Sequence, residues 1–397
     1  MQIDTNPFLA AVMRAVRSDR PVLRADQPFF NRVEKVPAGN YVEVWFRTGG
    51  CTWDHVGGCT MCNYGFGDAI SAPAAVESVR TALKALTKPA DELMVSPSGG
   101  MWDPREVPTD ALTPIYKLAA KAGPRRFFVE TRAETVSEER AHELKAALPD
   151  TELAVELGLE SSHDAVLAFC VNKGSSSKQF ERAAETLRAQ GIQVYANVSL
   201  GTAFLDRPTA VRDAVATVRW ALSHGATNAV VFPLHVKPFT LLEFLHRHGR
   251  YLSVSLWDLV EVLHVLGPEL SPQVEIAWYK SYYDTADKVT TSPVGCARCT
   301  ERLVAKLDHY RATQRYEVVA DLERTRCECA VPRMFETAPL PSDNQLASSV
   351  LDHYAQLASM LDLGIAWRRF APRLEPAVHR AFQGYTATLA GKTADVA

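Results

Sequence analysis

The chain has 397 residues, of which 47% are hydrophobic and 22% charged, so it can build one large globular unit with a smaller appendage and is neither fibrous nor disordered. Its net charge of −3 and pI near 6.4 exclude a global electrostatic pull toward nucleic acid or anionic membrane, leaving only a local basic patch for either. The opening MQIDTNPFLAAVMRAVRSDR lacks the apolar core of a secretory signal, and no segment reaches the ~18–20 apolar residues of a membrane span; a cytoplasmic protein is expected.

Residues 1–40 read as a helical lead-in and an irregular approach. Asn40 to Arg47 (NYVEVWFR) alternates and is rich in β-branched and aromatic residues, which predicts a strand. A glycine-rich loop follows, with Cys51, Cys59 and Cys62 spaced C-x7-C-x2-C inside the stretch from Phe46 to Phe66. Residues 72–88 have helical spacing, Glu92 to Ser96 is a strand, and the turn Pro97-Ser98-Gly99-Gly100 leads through MWDPREVP to another helix. Strands are then expected at Arg126 to Glu130, Glu152 to Leu157, Gln193 to Ser199 and Asn228 to Pro233. They alternate with helices at 137–147, 178–190, 209–223 and 255–266. About six such units predict an α/β fold, a partial (β/α)6 TIM-like barrel, with functional residues at the C-terminal ends of the strands.

The expected organisation is a lead-in over 1–40, a barrel over 41–270, a four-cysteine metal-binding extension over 271–335 and closing helices over 336–397, interrupted at Pro372 and Pro376. Eight cysteines in a reducing compartment argue for metal rather than disulfides. Cys170, alone in VLAFCVN, reads as core. Three thiolates on one loop can hold three irons of a 4Fe–4S cluster and leave the fourth open, whereas a Cys3His zinc site using His55 is the alternative. Cys296, Cys299, Cys327 and Cys329 suit either a closed zinc site or a second 4Fe–4S cluster.

Ser98, Gly99 and Gly100 offer close backbone approach to a ligand, or simply a turn. Glu130 and Arg132 follow one strand, Glu156 and Glu160 bracket the next, and Asn197 lies in the one after. Charged groups in buried strands must be paired or bound, so these are either ligand contacts or ion pairs inside the barrel mouth. Lys173, in the polar turn Asn172-Lys173-Gly174, is expected to be either solvated or ligand-facing.

The stretches TGGCTWDHVGGCTMCNYG, SGGMWDPREVP, VETRAETVSEE, ELGLESSHDAVLAFCVNKG and the late GCARC…CEC group resemble the radical S-adenosylmethionine superfamily. Within it they resemble the radical subunits of archaeosine synthase and, more distantly, the radical domain of the Elongator catalytic subunit. The resemblance implies that Cys51, Cys59 and Cys62 ligate the cluster. It implies that Ser98, Gly99 and Gly100 hold the methionyl amine, while Glu130, Arg132, Glu160 and Asn197 line the S-adenosylmethionine site. It also implies a reductant such as flavodoxin or ferredoxin, and a substrate that is a lysine-conjugated 7-deazaguanine in tRNA. A small nitrogenous molecule of natural-product biosynthesis remains the alternative substrate. No acetyltransferase domain of the Elongator kind and no basic RNA-binding domain is evident, so RNA contacts would fall to a partner enzyme. A non-enzymatic metal-binding protein or a two-cluster electron carrier would use the same cysteines differently.

Overall fold

Among the described residues, eight strands form one sheet in strictly sequential order, β1 to β8. The computed structural model describes residues 6–20, 29–65, 67–281, 289–331 and 333–390; Phe66 and the outer ends of the expected lead-in and closing helices lie outside them. β1 (Phe29–Val36) runs antiparallel to β2 (Gly39–Phe46). From β2 onward every neighbour is parallel: β3 (Glu92–Pro97), β4 (Arg126–Thr131), β5 (Glu152–Glu160), β6 (Gln193–Leu200), β7 (Asn228–Pro233) and β8 (Val274–Ile276). Six crossovers therefore join seven parallel strands, which is the expected partial barrel, with β1 and β8 as its two edges.

An N-terminal helix, α1 (Pro7–Val16), precedes the sheet. The crossovers run through α2 (Ala72–Lys84), α3 (Thr109–Ala122), α4 (Glu138–Ala147), α5 (Ser177–Ala189), α6 (Arg207–Ser223) and α7 (Leu256–Leu270). Local chemistry sets their starts. The Ser137 hydroxyl accepts from Arg140 N, Ser176 and Gln179 form a capping box, and Asp206 caps α6 through Thr209 N. The period-2 pattern of β2 divides its side chains: Val42, Val44 and Phe46 join the core under the helices, while Tyr41, Glu43 and Trp45 face the lumen. An apolar plug that includes Met94, Phe128 and Tyr195 closes the lumen at one end.

The sheet begins earlier and ends later than residues 41–270. β1 carries Arg32 and Glu34 on its inner face, where Arg32 pairs with Glu43 and Glu34 with Arg311, so its buried face reads as polar. β8 is too short to give a pattern. Beyond it the chain forms α8 (Thr300–Thr313) and α9 (Tyr316–Arg324), flanked by the late cysteines, then α10 (Asp343–Met360) and α11 (Gly364–Ala381). Pro372 and Pro376 do not break the closing helices; both sit inside α11. They occupy its exposed face, where water can satisfy the freed carbonyls, while Ala371, Leu374 and Val378 keep the other face buried.

Candidate active site at the mouth of the barrel

The cysteine loop follows β2 and is pinned from several directions. Arg17, at the C-cap of α1, donates to the carbonyls of Gly57 (2.9 Å), Cys59 (3.3 Å) and Cys62 (2.7 Å) and pairs with Asp54 at 2.6 Å. Arg20 binds the other Asp54 oxygen at 2.6 Å and the Gly65 carbonyl at 2.5 Å. Thr60 bonds to the carbonyls of Cys170 and Val171, so the fully buried Cys170 belongs to the core as expected, and its backbone braces the loop. Asn172 Nδ2 donates to the Gly58 carbonyl at 2.8 Å. Gly50 has φ +86°, and a Cβ there would fall 2.0 Å from the Tyr64 carbonyl oxygen. That glycine serves the loop's own packing.

The three early sulfurs do not all come within 4.8 Å of one another; among the described residues only the late four do. Spread thiolates suit binding to separate irons better than sharing one ion, and His55 is exposed and joins no convergent group. Burial pushes the Cys51 thiol up to about 11 against the pull of Arg132, and burial raises Cys59 and Cys62 as well.

At the end of β3 the Ser98 hydroxyl accepts from Thr48 N at 2.9 Å, tying this turn to the strand end before the cysteines. The main organiser is Glu106, which the sequence reading did not single out. Its carboxylate accepts from Gly100 N (2.5 Å), Thr52 N (2.6 Å), the Thr52 hydroxyl (2.7 Å) and Arg132 (2.5 Å). A Cβ at Gly99 would lie 2.3 Å from its Oε2. Arg132 also binds Asp103 at 2.5 Å and Glu134 at 2.8 Å and stands 3.3 Å from Cys51 Sγ, so its fork is largely committed to acids. The available signal was two acids in MWDPREVP directly after a glycine pair.

Below the loop lies a cavity of about 210 Å³, lined by Cys62, Gly99, Glu130, Glu160 and Asn197 among others. Ser98, Gly100 and Arg132 are not part of its lining. Glu160 pairs with the buried Lys173 at 3.1 Å and accepts from Ser199; it has φ +70° at a register shift in β5. Lys173 is thus buried and paired rather than solvated. Glu130 accepts from Ser96 at 2.8 Å and from Asn197 at 3.5 Å. Its register partner on β5 is Glu156. Glu43 and Glu275 complete a belt of acids in the lining. Burial raises Glu130 to about 7, Glu156 to about 8 and Glu275 to about 6; the charges of Glu43 and Glu160 add to the rise at Glu130, and those of Glu130, Glu275 and Glu43 to the rise at Glu156.

Away from the mouth, the late cysteines gather their sulfurs. Cys296 lies 3.6 Å from Cys299 and 3.7 Å from Cys327, and Cys299 lies 3.5 Å from Cys329. The Arg298 backbone N–H, together with the neighbouring thiols, lowers the Cys296 thiol to about 6.

Fold and site together define an enzyme with three cysteines on the loop at the mouth of a partial α/β barrel. No family model matches the chain. Archaeosine synthase subunit beta of Methanosarcina acetivorans is 29% identical over 292 residues, covering 72% of this chain and 82% of the relative. The subunit of the same name from Thermococcus kodakarensis is 26% identical over 306 residues, covering 72% and 89%. Among solved structures, Elp3 of Methanocaldococcus infernus is 17% identical, covering 60% of this chain and 58% of that one with a TM-score of 0.43. These likenesses support the resemblance to the radical S-adenosylmethionine superfamily that the sequence motifs carry. No helix of the described residues is long and apolar enough to cross a membrane.

Proposed function

We propose that Cys51, Cys59 and Cys62 hold a 4Fe–4S cluster whose open iron takes S-adenosylmethionine, and that the acid-lined lumen receives a nitrogenous substrate. The observation that carries this reading is the position of Cys62 and Gly99 in the wall of the same cavity as Glu130, Glu156 and Asn197. When bound and reduced, the cluster supplies the electron that splits S-adenosylmethionine into methionine and a 5′-deoxyadenosyl radical, which takes a hydrogen atom from a substrate C–H bond.

This chain's own residues bind and orient. Gly99 and Asn197 offer backbone and amide contacts to the cofactor, and Glu130 accepts from a ribose hydroxyl or ammonium. Glu106 fixes the spacing of the cysteine loop and the glycine turn. The carboxylates below them favour a substrate bearing an amine, and the apolar plug keeps bulk water from entering that end.

A lysine-conjugated 7-deazaguanine in tRNA fits both the acidic chamber and the likeness to the archaeosine synthase subunits. Fragmentation of a C–N bond beside the substrate radical is the proposed outcome. The size of the cavity and the net charge of −3 favour a second substrate reading, a small free amine. The test is anaerobic reconstitution with iron and sulfide, then S-adenosylmethionine and reduced flavodoxin. Production of 5′-deoxyadenosine is expected; an intact cluster with no 5′-deoxyadenosine sinks the reading. Turnover above the uncoupled rate with the modified tRNA, or only with small amines, separates the two substrates.

A further inference from the structure

The late cysteines offer a second metal site whose nuclearity can be read from its geometry. Four sulfurs around one ion with bonds of ~2.3 Å stand ~3.8 Å apart along the edges of a tetrahedron. The separations here, 3.6, 3.7 and 3.5 Å, lie close to that edge, and all four sulfurs fall within 4.8 Å of one another. Thiolates bound to the four corners of a cubane point away from each other and stand further apart. The local backbone forms a knuckle: Cys299 N donates to the Cys296 carbonyl at 3.0 Å, and Cys296 N donates to Cys299 Sγ at 3.3 Å. Four protein thiolates fill a tetrahedron and leave no open position, which marks a structural site rather than a reactive one.

What the site would hold in place is α8, whose first residue follows Cys299 directly. This helix lies across the open side of the barrel. Arg311 Nε pairs with Glu34 of β1 at 2.8 Å, and its NH1 donates to the Ile276 carbonyl of β8. One side chain thus bridges the two edge strands, which do not pair with each other. Tyr310 donates to the Val274 carbonyl at 2.9 Å, and Asp308 accepts from Tyr279 at 2.5 Å. Arg311 also lines the cavity beneath the cysteine loop.

We infer that Cys296, Cys299, Cys327 and Cys329 bind a single tetrahedral zinc ion that clamps α8 across the seam between β1 and β8 and so closes the side wall of the substrate chamber. The zinc has no part in the electron chemistry, and the inference stands whether or not the early loop carries a cluster.

The test uses the full chain purified anaerobically. About one zinc per chain is expected, with four sulfurs at ~2.3 Å by zinc-edge X-ray absorption. Oxygen or nitrogen ligands, or no zinc, overturn the assignment. Cys327→Ser should lose the zinc and keep the iron; loss of iron instead identifies a second cluster. Should that variant fail to fold, the absorption spectrum of the unaltered chain still decides. Withdrawing the zinc with a chelator should speed hydrogen exchange in 29–36 and 274–276 and leave 193–200 unchanged. Unchanged exchange at both edges refutes the clamp.

Discussion

The cysteines at 51–62 sit on a loop held open by other parts of the chain, whereas those at 296–329 hold one another. In the early loop, Arg17, Arg20, Glu106 and Asn172 bind backbone and side chains around the thiols, and the sulfurs stay spread. In the late group the sulfurs converge, although Cys329 is exposed and the neighbouring Arg298–Glu328 pair is a surface contact. The same ligand atom serves two ends. A spread set needs scaffolding from outside because nothing inside it draws the thiolates together, and that scaffolding leaves a face free for a ligand. A convergent set is stabilised by its ion and leaves no free face.

Removing one sulfur from the spread set gives the sharpest contrast. Cys59→Ala should abolish 5′-deoxyadenosine formation and strip iron from the early site while leaving the late metal in place, as metal analysis of the purified variant would read. Retention of full activity would contradict the ligand assignment; loss of both metals would break the independence of the two groups.

A smaller effect follows from the scaffold. Glu106 is fully buried and serves Gly100, Thr52 and Arg132 at once. Glu106→Gln removes its charge from a buried pair, with an expected destabilisation of about 3 kcal/mol in urea unfolding and poor iron retention. Glu328→Gln, on the exposed pair beside the late site, should change neither stability nor metal content measurably. Equal effects would mean that the early loop does not depend on its scaffold.

Much of this contrast was legible in the sequence. The alternating strands, the cysteine spacings and the capping residues carry local signals, so the barrel and both cysteine groups could be read directly. Arg17 carries none, and Glu106 shows only as one of two acids shortly after a glycine pair. Each matters through partners far away, such as the carbonyl of Cys62 for Arg17 and the backbone of Thr52 for Glu106, and a backbone partner leaves no pattern in composition. β1 was missed because its inner face holds Arg32 and Glu34, which are buried only because Glu43 and Arg311 meet them. The glycines were legible as sites of close approach, but Gly50 and Gly99 approach Tyr64 and Glu106 of the protein itself.

The gentlest probe lies in the lumen. Glu156, raised to about 8 by burial and by the charges of Glu130, Glu275 and Glu43, is penalised when ionised in the folded chain. A folded-state value above the unfolded one means that stability is fully present below the ordinary carboxylate range and is lost as pH rises through about 8. Glu156→Gln cannot ionise, so it should match the unaltered chain near pH 4 and exceed it by about 2 kcal/mol near pH 9, after discounting for solvent in the cavity. Thermal unfolding at the two pH values reads the effect. A gap that is constant with pH would show that the acid belt is solvated rather than enclosed, and would remove the electrostatic reason for an amine-bearing substrate beneath the spread cysteines while leaving the convergent site untouched.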